Sequence, residues 1–275
     1  MVFIVVILNP IFIFGLKMGM RGSALATVLS QGIMLCYQLH HFYNKNNCIY
    51  FQKGIFKLRW NMISKMMSIG LSPFFMNLTA CMVVIIITNS LTRYGGDVAV
   101  GAYGIINRFL FFFVMIVIGL MQGMQPIVGY NFGAKLYNRA FKALKLSIMF
   151  ATFISVIGFL LGEFFPDMIT SMFTTDKQLT EIAASGMRIM MMAVPLLGIQ
   201  VISTGFFQSI GYVKTAIFLS LLRQLILIIP ALLVFPLFFG LNGIWMSIPV
   251  SDTLATIISV TILIYNYRQL KKLAN

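Results

Sequence analysis

Four ionisable side chains lie inside long apolar stretches of this sequence, where charge is rare. They are Arg108, Arg188, Arg223 and Asp252. A charge at the centre of a membrane-spanning helix costs roughly 2.5–3.5 kcal/mol, so such groups usually have a function or a partner. We expect Asp252 to face the interior and to pair with one of these three arginines, because a lone carboxylate in hydrocarbon would become neutral. The pair is either static, ordering the helices, or a relay for protons or substrate.

Uncharged amides also lie inside the apolar stretches. They are Asn77, Asn89, Asn107, Gln122, Gln125, Gln200, Gln208 and Gln224. Such amides commonly hydrogen-bond across neighbouring helices, which would make them structural. The alternative is that some of them line a substrate cavity. The candidates for that role are Asn77, Asn107, Gln122, Gln125 and Gln200.

Few residues in this sequence could carry out catalysis. His40 and His41 are adjacent, so they point in different directions from a helix, and Asp252 has no second carboxylate in its stretch. Hydrolysis or group transfer would need a nucleophile with a base, a carboxylate pair or a metal cluster. The three cysteines, Cys36, Cys48 and Cys81, show no paired spacing. The sequence therefore predicts neither an enzyme nor a metal or cofactor site.

The composition places these residues in a membrane protein. Of the 275 residues 60% are apolar and 9% charged, whereas soluble domains are about a quarter charged. The charges lie between apolar runs of about 18 residues or more, which is typical of an all-α, polytopic helical protein. The net charge of +14 would suit nucleic acid, but it lies in short connections, as in cytoplasmic loops of membrane proteins. We therefore predict a bilayer and no nucleic acid as partners.

About eight apolar segments can be distinguished along the chain, and the first is too short to span a bilayer. They cover 2–15, 22–43, 62–91, 98–131, 137–163, 180–210, 213–236 and 242–267. Lys and Arg are concentrated in the linker 45–61, in the connection after the fourth run and in the C-terminal tail. Basic residues favour the cytoplasmic side. This asymmetry predicts a multi-pass protein of the cell membrane with its C-terminus in the cytoplasm.

Proline and glycine interrupt several of these segments. Pro73, Pro195, Pro230 and Pro249 lie inside predicted spans, where each removes a backbone hydrogen bond and favours a kink. The stretch 122–134 adds Pro126, two glutamines and three glycines at the cytoplasmic end of one span, which suits a hinge or gate. Bent helices near the midplane recur in secondary transporters, although passive channels use them too.

A weak internal repeat suggests how the chain is organised. The sequence GSALATVLSQ at 22–31 and the sequence GIWMSIPVSD at 243–252 each follow an element containing proline, an aromatic residue, glycine and leucine. Chance similarity remains an alternative. If the repeat is real, its unit has six helices. Residues 1–44 would then be the last two helices of a first repeat, 45–61 a cytoplasmic linker, and 62–275 a complete second repeat.

Two stretches carry a resemblance to a known family. The sequence GAYGIINR at 101–108, continuing to GLMQGMQPIVGYNFGA at 119–134, resembles the eighth helix of the multidrug and toxic compound extrusion (MATE) family. Residues 195–211, ending in FFQSIG, resemble that family's tenth helix, and 243–252 the start of its twelfth. The resemblance covers nearly the whole chain, as helices five to twelve of a two-lobed transporter.

The resemblance implies a multidrug efflux antiporter that works by alternating access. Such a protein exports cationic or amphipathic small molecules in exchange for Na⁺ or H⁺. Nothing here matches the family's first four helices, including the acidic residue of helix one, so the coupling-ion site is expected in that missing part and the chain is not expected to transport alone. The alternative from the same superfamily is a flippase for lipid-linked oligosaccharides, for which unpaired Arg108, Arg188 and Arg223 would form a cationic cavity.

Overall fold

The structure is a computed structural model that describes residues 2–44, 50 and 59–274. All elements in these ranges are helices, which confirms the predicted all-α class. The chain divides into two compact units, Met1–Ser64 and Lys65–Asn275. Most of the linker predicted at 45–61, including Cys48, lies outside the described residues. The division into six-helix repeats stays a prediction.

The first unit contains a helical hairpin. Helix α1 (Val2–Pro10) continues as a π-helical turn (Ile11–Gly15), and α2 (Gly19–Tyr43) follows. The apolar stretch Phe3–Gly15 is shorter than a membrane span. The chain reverses at Gly19, whose φ of +55° favours glycine. A Cβ at Gly22 would lie 2.7 Å from the carbonyl oxygen of Phe12, so α2 packs closely on the preceding turn only because this residue has no side chain.

The second unit is built from a longer series of helices. They are α3 (Trp60–Gly133, beginning before the unit boundary), α4 (Tyr137–Phe164), α5 (Pro166–Ser171), α6 (Lys177–Met191), α7 (Val194–Ser209), α8 (Val213–Leu221), a π-helical segment (Leu222–Ile228) and α9 (Ile229–Ala274). Three stretches within them are long and apolar enough to cross a bilayer: Phe74–Gly133, Tyr137–Phe164 and Val213–Arg268. The chain is therefore a polytopic helical membrane protein, as predicted.

Two of these stretches are hairpins rather than single rods. They are 60 and 56 residues long, whereas about 20 residues cross the hydrocarbon core. Gly96 (φ 66°, ψ −168°) and Gly240 (φ 55°, ψ −132°) leave the helical conformation inside α3 and α9. We name the two parts of α3 α3a (60–95) and α3b (97–133), and the two parts of α9 α9a (229–239) and α9b (241–274). The reversals coincide with the gaps between predicted segments.

The bend predicted at Pro195 is present. Helices α6 and α7 are together long and apolar enough to cross a bilayer, but they meet at an angle of 52°. Pro195 lies in the first turn of α7, where its missing N–H removes no helical bond. Pro126 behaves differently, because α3b continues as a helix past it to Gly133. The hinge predicted at 122–134 therefore has no break in its backbone here.

Two apolar clusters hold the second unit together. The first joins α3, α6 and α9 through large side chains such as Ile106, Met191 and Trp245. The second joins α3b, α4 and α7 through residues such as Leu144 and Phe206. Methionine contributes to the first cluster, since Met190 and Met191 are buried there. The buried polar side chains among the described residues are mainly serines and threonines, together with Gln200 and Asp252.

Candidate substrate cavity

A cavity of about 320 Å³ lies between the helices of the second unit. Its wall comes from both halves of α3, the junction of α6 and α7, the π-helical segment and α9b. Most lining side chains are apolar. The polar ones are Tyr103, Asn107, Arg223, Gln224 and Asp252. Apolar walls with a few convergent polar groups are characteristic of small-molecule sites.

An ion pair forms the most polar part of this wall. Nε of Arg223 donates to Oδ1 of Asp252 at 2.6 Å, and Nη2 donates to Oδ2 at 3.3 Å. The Asp252 side chain is 3% exposed and that of Arg223 26%. Two parallel hydrogen bonds fix the orientation of both groups, and the pair carries no net charge. Asp252 has thus paired with one of the three arginines that the sequence offered.

Local backbone structure aims Arg223 and Gln224 at the cavity. Both belong to the π-helical segment, in which the N–H of Ile229 bonds to the carbonyl of Gln224 five residues earlier. Pro230 follows and has no N–H to donate, so one α-helical hydrogen bond is absent at this end of the segment. The wider turn allows adjacent side chains to share one side of the helix. Such π segments often occur at functional sites.

A hydrogen bond across helices fixes Gln224. The hydroxyl of Thr79 on α3a, itself buried, donates to the side-chain oxygen of Gln224. The π segment is therefore tied to α9b through Arg223 and to α3a through Gln224. If α3a or α9b moved together with the π segment, the contact of this segment with the other helix would be disturbed. This linkage makes the arrangement of the cavity wall dependent on three elements at once.

Tyr103 extends the polar lining towards the apolar core. Its ring stacks on that of Trp245, with centroids 6.5 Å apart. Gly186 permits this packing, because a Cβ there would lie 3.0 Å from the indole ring. The indole N–H of Trp245 is buried and has no hydrogen-bond partner in the described part of the chain. An aromatic face and an apolar wall can hold a flat, amphipathic molecule.

The amides predicted to line a cavity have different surroundings. Asn107 lines the cavity, whereas Asn77 and Gln122 are exposed residues outside its lining. Gln125 donates to the side-chain oxygen of Gln208 at 3.1 Å and so links α3b to α7. Gln200 is buried, and its side-chain oxygen has no partner among the described residues. A substrate role for these five amides stays a prediction.

Two charges that the sequence analysis placed in the buried layer are exposed in this unit. Arg108 is exposed, and Nη2 of Arg188 lies 3.8 Å from the carboxylate of Asp167 with about half of its side chain accessible. The depth of a residue along an apolar run can be read from the sequence, but its direction around the helix cannot. On α6 the core-facing positions are occupied by small residues and methionines such as Ala183 and Met187. Arg188 therefore points away from the core of the unit.

Sequence reasoning missed three residues of the cavity wall or its support. Thr79 and Tyr103 were not singled out, and Gln224 was assigned only a structural role. The available signal for Gln224 was Pro230, six residues later, which disturbs the helix that carries it. Among the described residues, no group of three or more His, Cys, Asp or Glu side chains could hold a metal ion.

Comparison with known proteins agrees with this architecture. The family model MatE matches residues 73–233. The multidrug export protein MepA of Staphylococcus aureus (strain MSSA476) is 28% identical over 257 residues, which are 94% of this chain and 56% of MepA. MepA of Staphylococcus haemolyticus (strain JCSC1435) is also 28% identical, over 96% of this chain and 57% of its own. The chain thus spans little more than half the length of these relatives.

Solved structures show the same fold. The MATE multidrug transporter DinF-BH is 35% identical, with a TM-score of 0.84 over 98% of this chain and 60% of its own. An outward-facing multidrug resistance MATE family transporter of the MOP superfamily superposes with a TM-score of 0.87 at 19% identity, over 98% of this chain and 61% of its own. From the family model and the shared helical architecture, the chain belongs to the MatE family of membrane transporters, which are not enzymes.

Proposed function

We propose that the chain forms helices five to twelve of a multidrug efflux antiporter. It exports cationic or amphipathic small molecules in exchange for Na⁺ or H⁺, and two lobes alternate around a shared cavity. The relatives named for multidrug export support this proposal, because they match 94–96% of the chain. Since the chain covers little more than half of each relative, it provides the second lobe with the last two helices of the first, and it needs the rest of a transporter for activity.

The cavity wall is the observation that carries this proposal. Apolar and aromatic side chains surround a neutral ion pair and two amides. Such a surface accepts apolar molecules of varied shape without requiring a fixed polar pattern. The pair Arg223–Asp252 also joins two of the helices in the wall, so a change in its geometry can accompany a rearrangement of the lobe.

The coupling ion is proposed to bind elsewhere than at Asp252. The guanidinium of Arg223 already neutralises this carboxylate at 2.6 Å. A cation could replace it only by displacing the arginine from its carboxylate, which would leave the partly buried guanidinium of Arg223 without a counter-charge. A site in the first lobe, outside this chain, suits this arrangement better.

The arginines favour drug export over the flippase. A cavity for a pyrophosphate headgroup would need several unpaired arginines facing it. Of Arg108, Arg188 and Arg223, only Arg223 lines the cavity, and it is paired with Asp252. A second ion pair, Arg188–Asp167, lies outside the lining. The flippase remains the alternative, with a different distribution of charge in the missing lobe.

We place the protein in the cell membrane with its C-terminus in the cytoplasm. In the second unit, Lys135, Arg139, Lys142 and Lys145 lie where α3b ends and α4 begins, and Arg268 lies near the end of α9. Asp97 lies at the start of α3b and Glu163 near the end of α4, which are the opposite ends of these two helices. Basic residues concentrate in cytoplasmic connections, which supports this orientation.

A dye-efflux assay with a chimaera tests these proposals together. The chain, carrying green fluorescent protein at its C-terminus, is expressed alone or fused behind the part of MepA that it does not match, in bacteria without major efflux pumps. We expect the chimaera to lower the accumulation of a cationic rhodamine dye, and a protonophore or removal of Na⁺ to identify the coupling ion. Fluorescence of the fusion indicates a cytoplasmic C-terminus.

The controls separate export from expression. In the chimaera, Asp252→Asn is expected to reduce export at unchanged fluorescence, whereas Lys214→Gln, on an exposed residue outside the cavity, leaves it intact. Full export and expression with Asp252→Asn would remove this residue from both the structural and the relay role. Gradient-driven export by the 275-residue chain alone would overturn the proposal that it is an incomplete transporter.

A further inference from the structure

A groove outside the cavity runs between α3b and α4 in the second unit. We call it the α3b–α4 groove, and its volume is about 820 Å³. Its lining includes Ile116, Gly119, Gly123, Ile127, Arg139 and Lys142. Lys142 also lines a second groove of about 450 Å³, between α4 and α9b, together with Lys145. Two open grooves therefore adjoin the same group of basic side chains.

No acidic side chain balances this basic group. The chain has six acidic residues, and none occurs between Asp97 and Glu163. Within the described ranges, Arg139, Lys142 and Lys145 form no ion pair. Arg139 also lies in the first turn of α4, which begins at Tyr137, and positive charge near a helix N-terminus is unfavourable. An external anion would offset both effects.

The groove has the length of one lipid leaflet. From Ile116 to Ile127 the helix rises by roughly 16 Å at about 1.5 Å per residue. The hydrocarbon core of a bilayer is about 30 Å thick, so one leaflet is about half of that. Gly119 and Gly123 leave its floor open, because a Cβ at either position would meet no atom within 4 Å. Arg139 and Lys142 lie at the end of the α3b–α4 groove that is nearest to the N-terminus of α4.

We propose that the α3b–α4 groove binds an anionic glycerophospholipid. Its phosphate lies against Arg139 and Lys142, and one acyl chain follows Gly119 and Gly123 towards the bilayer centre. Charge at one end and apolar surface along one leaflet fit this ligand, since basic pockets between membrane helices recognise anionic headgroups. The positive-inside bias accounts for basic residues at this end, but not for their position over an open groove. The proposal is independent of which compounds the protein exports.

Native mass spectrometry of the purified chain tests this proposal. The protein in neutral detergent is mixed with equal amounts of phosphatidylglycerol and phosphatidylcholine, and we expect it to retain phosphatidylglycerol selectively. Each basic residue contributes about a fivefold preference for anionic lipid, so R139Q/K142Q should lower phosphatidylglycerol binding roughly 30-fold. Should the double variant not fold, Arg139→Gln and Lys142→Gln are each expected to lower it about fivefold. Gly123→Leu fills the floor without changing charge and should lower retention of both lipids.

Lys214→Gln is the matched control, because this exposed lysine lies near the same end of the unit but lines neither groove. Its lipid binding should equal that of the wild type. The proposal is overturned if R139Q/K142Q keeps the wild-type preference, or if Lys214→Gln weakens binding equally, which would indicate general surface attraction. Unchanged binding by Gly123→Leu would exclude an acyl chain in the groove, and a dimer lost in these variants would identify a second copy as its occupant.

Discussion

Arg223 and Asp252 lie 29 residues apart and meet through two hydrogen bonds, of which the shorter, from Nε to Oδ1, measures 2.6 Å. The contact joins the π-helical segment to α9b. Asp252 is almost completely enclosed, while the arginine keeps access to the cavity. Because each group compensates the other, the pair can lie deep in an apolar unit without leaving a buried charge. Its effect on stability and its effect on transport can be measured separately.

Removing one member of the pair should cost more than removing both. Asp252→Leu leaves Arg223 without its carboxylate, and because that arginine is partly exposed we expect a loss of about 2–3 kcal/mol, at or below the range for fully buried pairs. The double variant R223M/D252L should recover to within about 1 kcal/mol of the wild type. Unfolding of the purified protein in detergent measures both. If the destabilisation of the double variant equalled the sum of those of Asp252→Leu and Arg223→Met, the two side chains would have no coupling energy.

Much of the fold could be predicted because apolar length and glycine position are explicit in the sequence. The reversals at Gly96 and Gly240 lie in the gaps between predicted segments, and a bend was expected at Pro195, which begins α7 rather than interrupting a helix. These features depend on local chemistry. The same reasoning could not show that α3b passes Pro126 without a break, because the packing around a proline decides whether its helix continues.

The candidate site was less predictable because it depends on direction around each helix. The sequence offered Arg108, Arg188 and Arg223 as partners for Asp252, and only packing selects among them. The π segment brings Arg223 and Gln224 to the same cavity, and no motif specifies such a segment in advance. Thr79 was missed because a single hydroxyl on an apolar helix resembles any other until its partner is known.

Contact between α4 and α7 depends on the absence of a side chain at Gly198. A Cβ there would lie 2.8 Å from the carbonyl carbon of Ala151 and 2.9 Å from its oxygen. Backbone atoms cannot rotate away, so the helices would have to separate. We expect Gly198→Ala to destabilise the protein by about 1–3 kcal/mol in detergent unfolding.

Gly104→Ala is the control for this substitution. Gly104 is also helical, but a Cβ there would have no neighbouring atom within 4 Å. Alanine is the better helix former, so this variant should be neutral or more stable by about 0.5–1 kcal/mol. If Gly198→Ala matched Gly104→Ala in stability, close packing at this contact would not be required.

The hairpins around Gly22 and Gly243 share a pattern of two glycines. Gly19 and Gly240 both have a φ of 55°, and each is followed three residues later by a glycine in close backbone contact. A Cβ at Gly22 would meet the carbonyl oxygen of Phe12, and a Cβ at Gly243 the carbonyl group of Phe235. The two hairpins belong to the two stretches that resemble each other in sequence. The shared geometry supports an internal repeat, which remains a prediction.

Hydrogen exchange measured by mass spectrometry can test whether the two hairpins depend on the same contact. Gly22→Ala should accelerate exchange in 2–43, and Gly243→Ala in 229–267, because each pushes two backbones apart at a cost of about 1–3 kcal/mol. Gly32→Ala, on α2 where a Cβ meets no atom within 4 Å, is the control and should leave exchange unchanged or slower. If Gly243→Ala accelerates exchange while Gly22→Ala behaves like the control, the close contact is specific to the second hairpin, and the repeat loses its structural support.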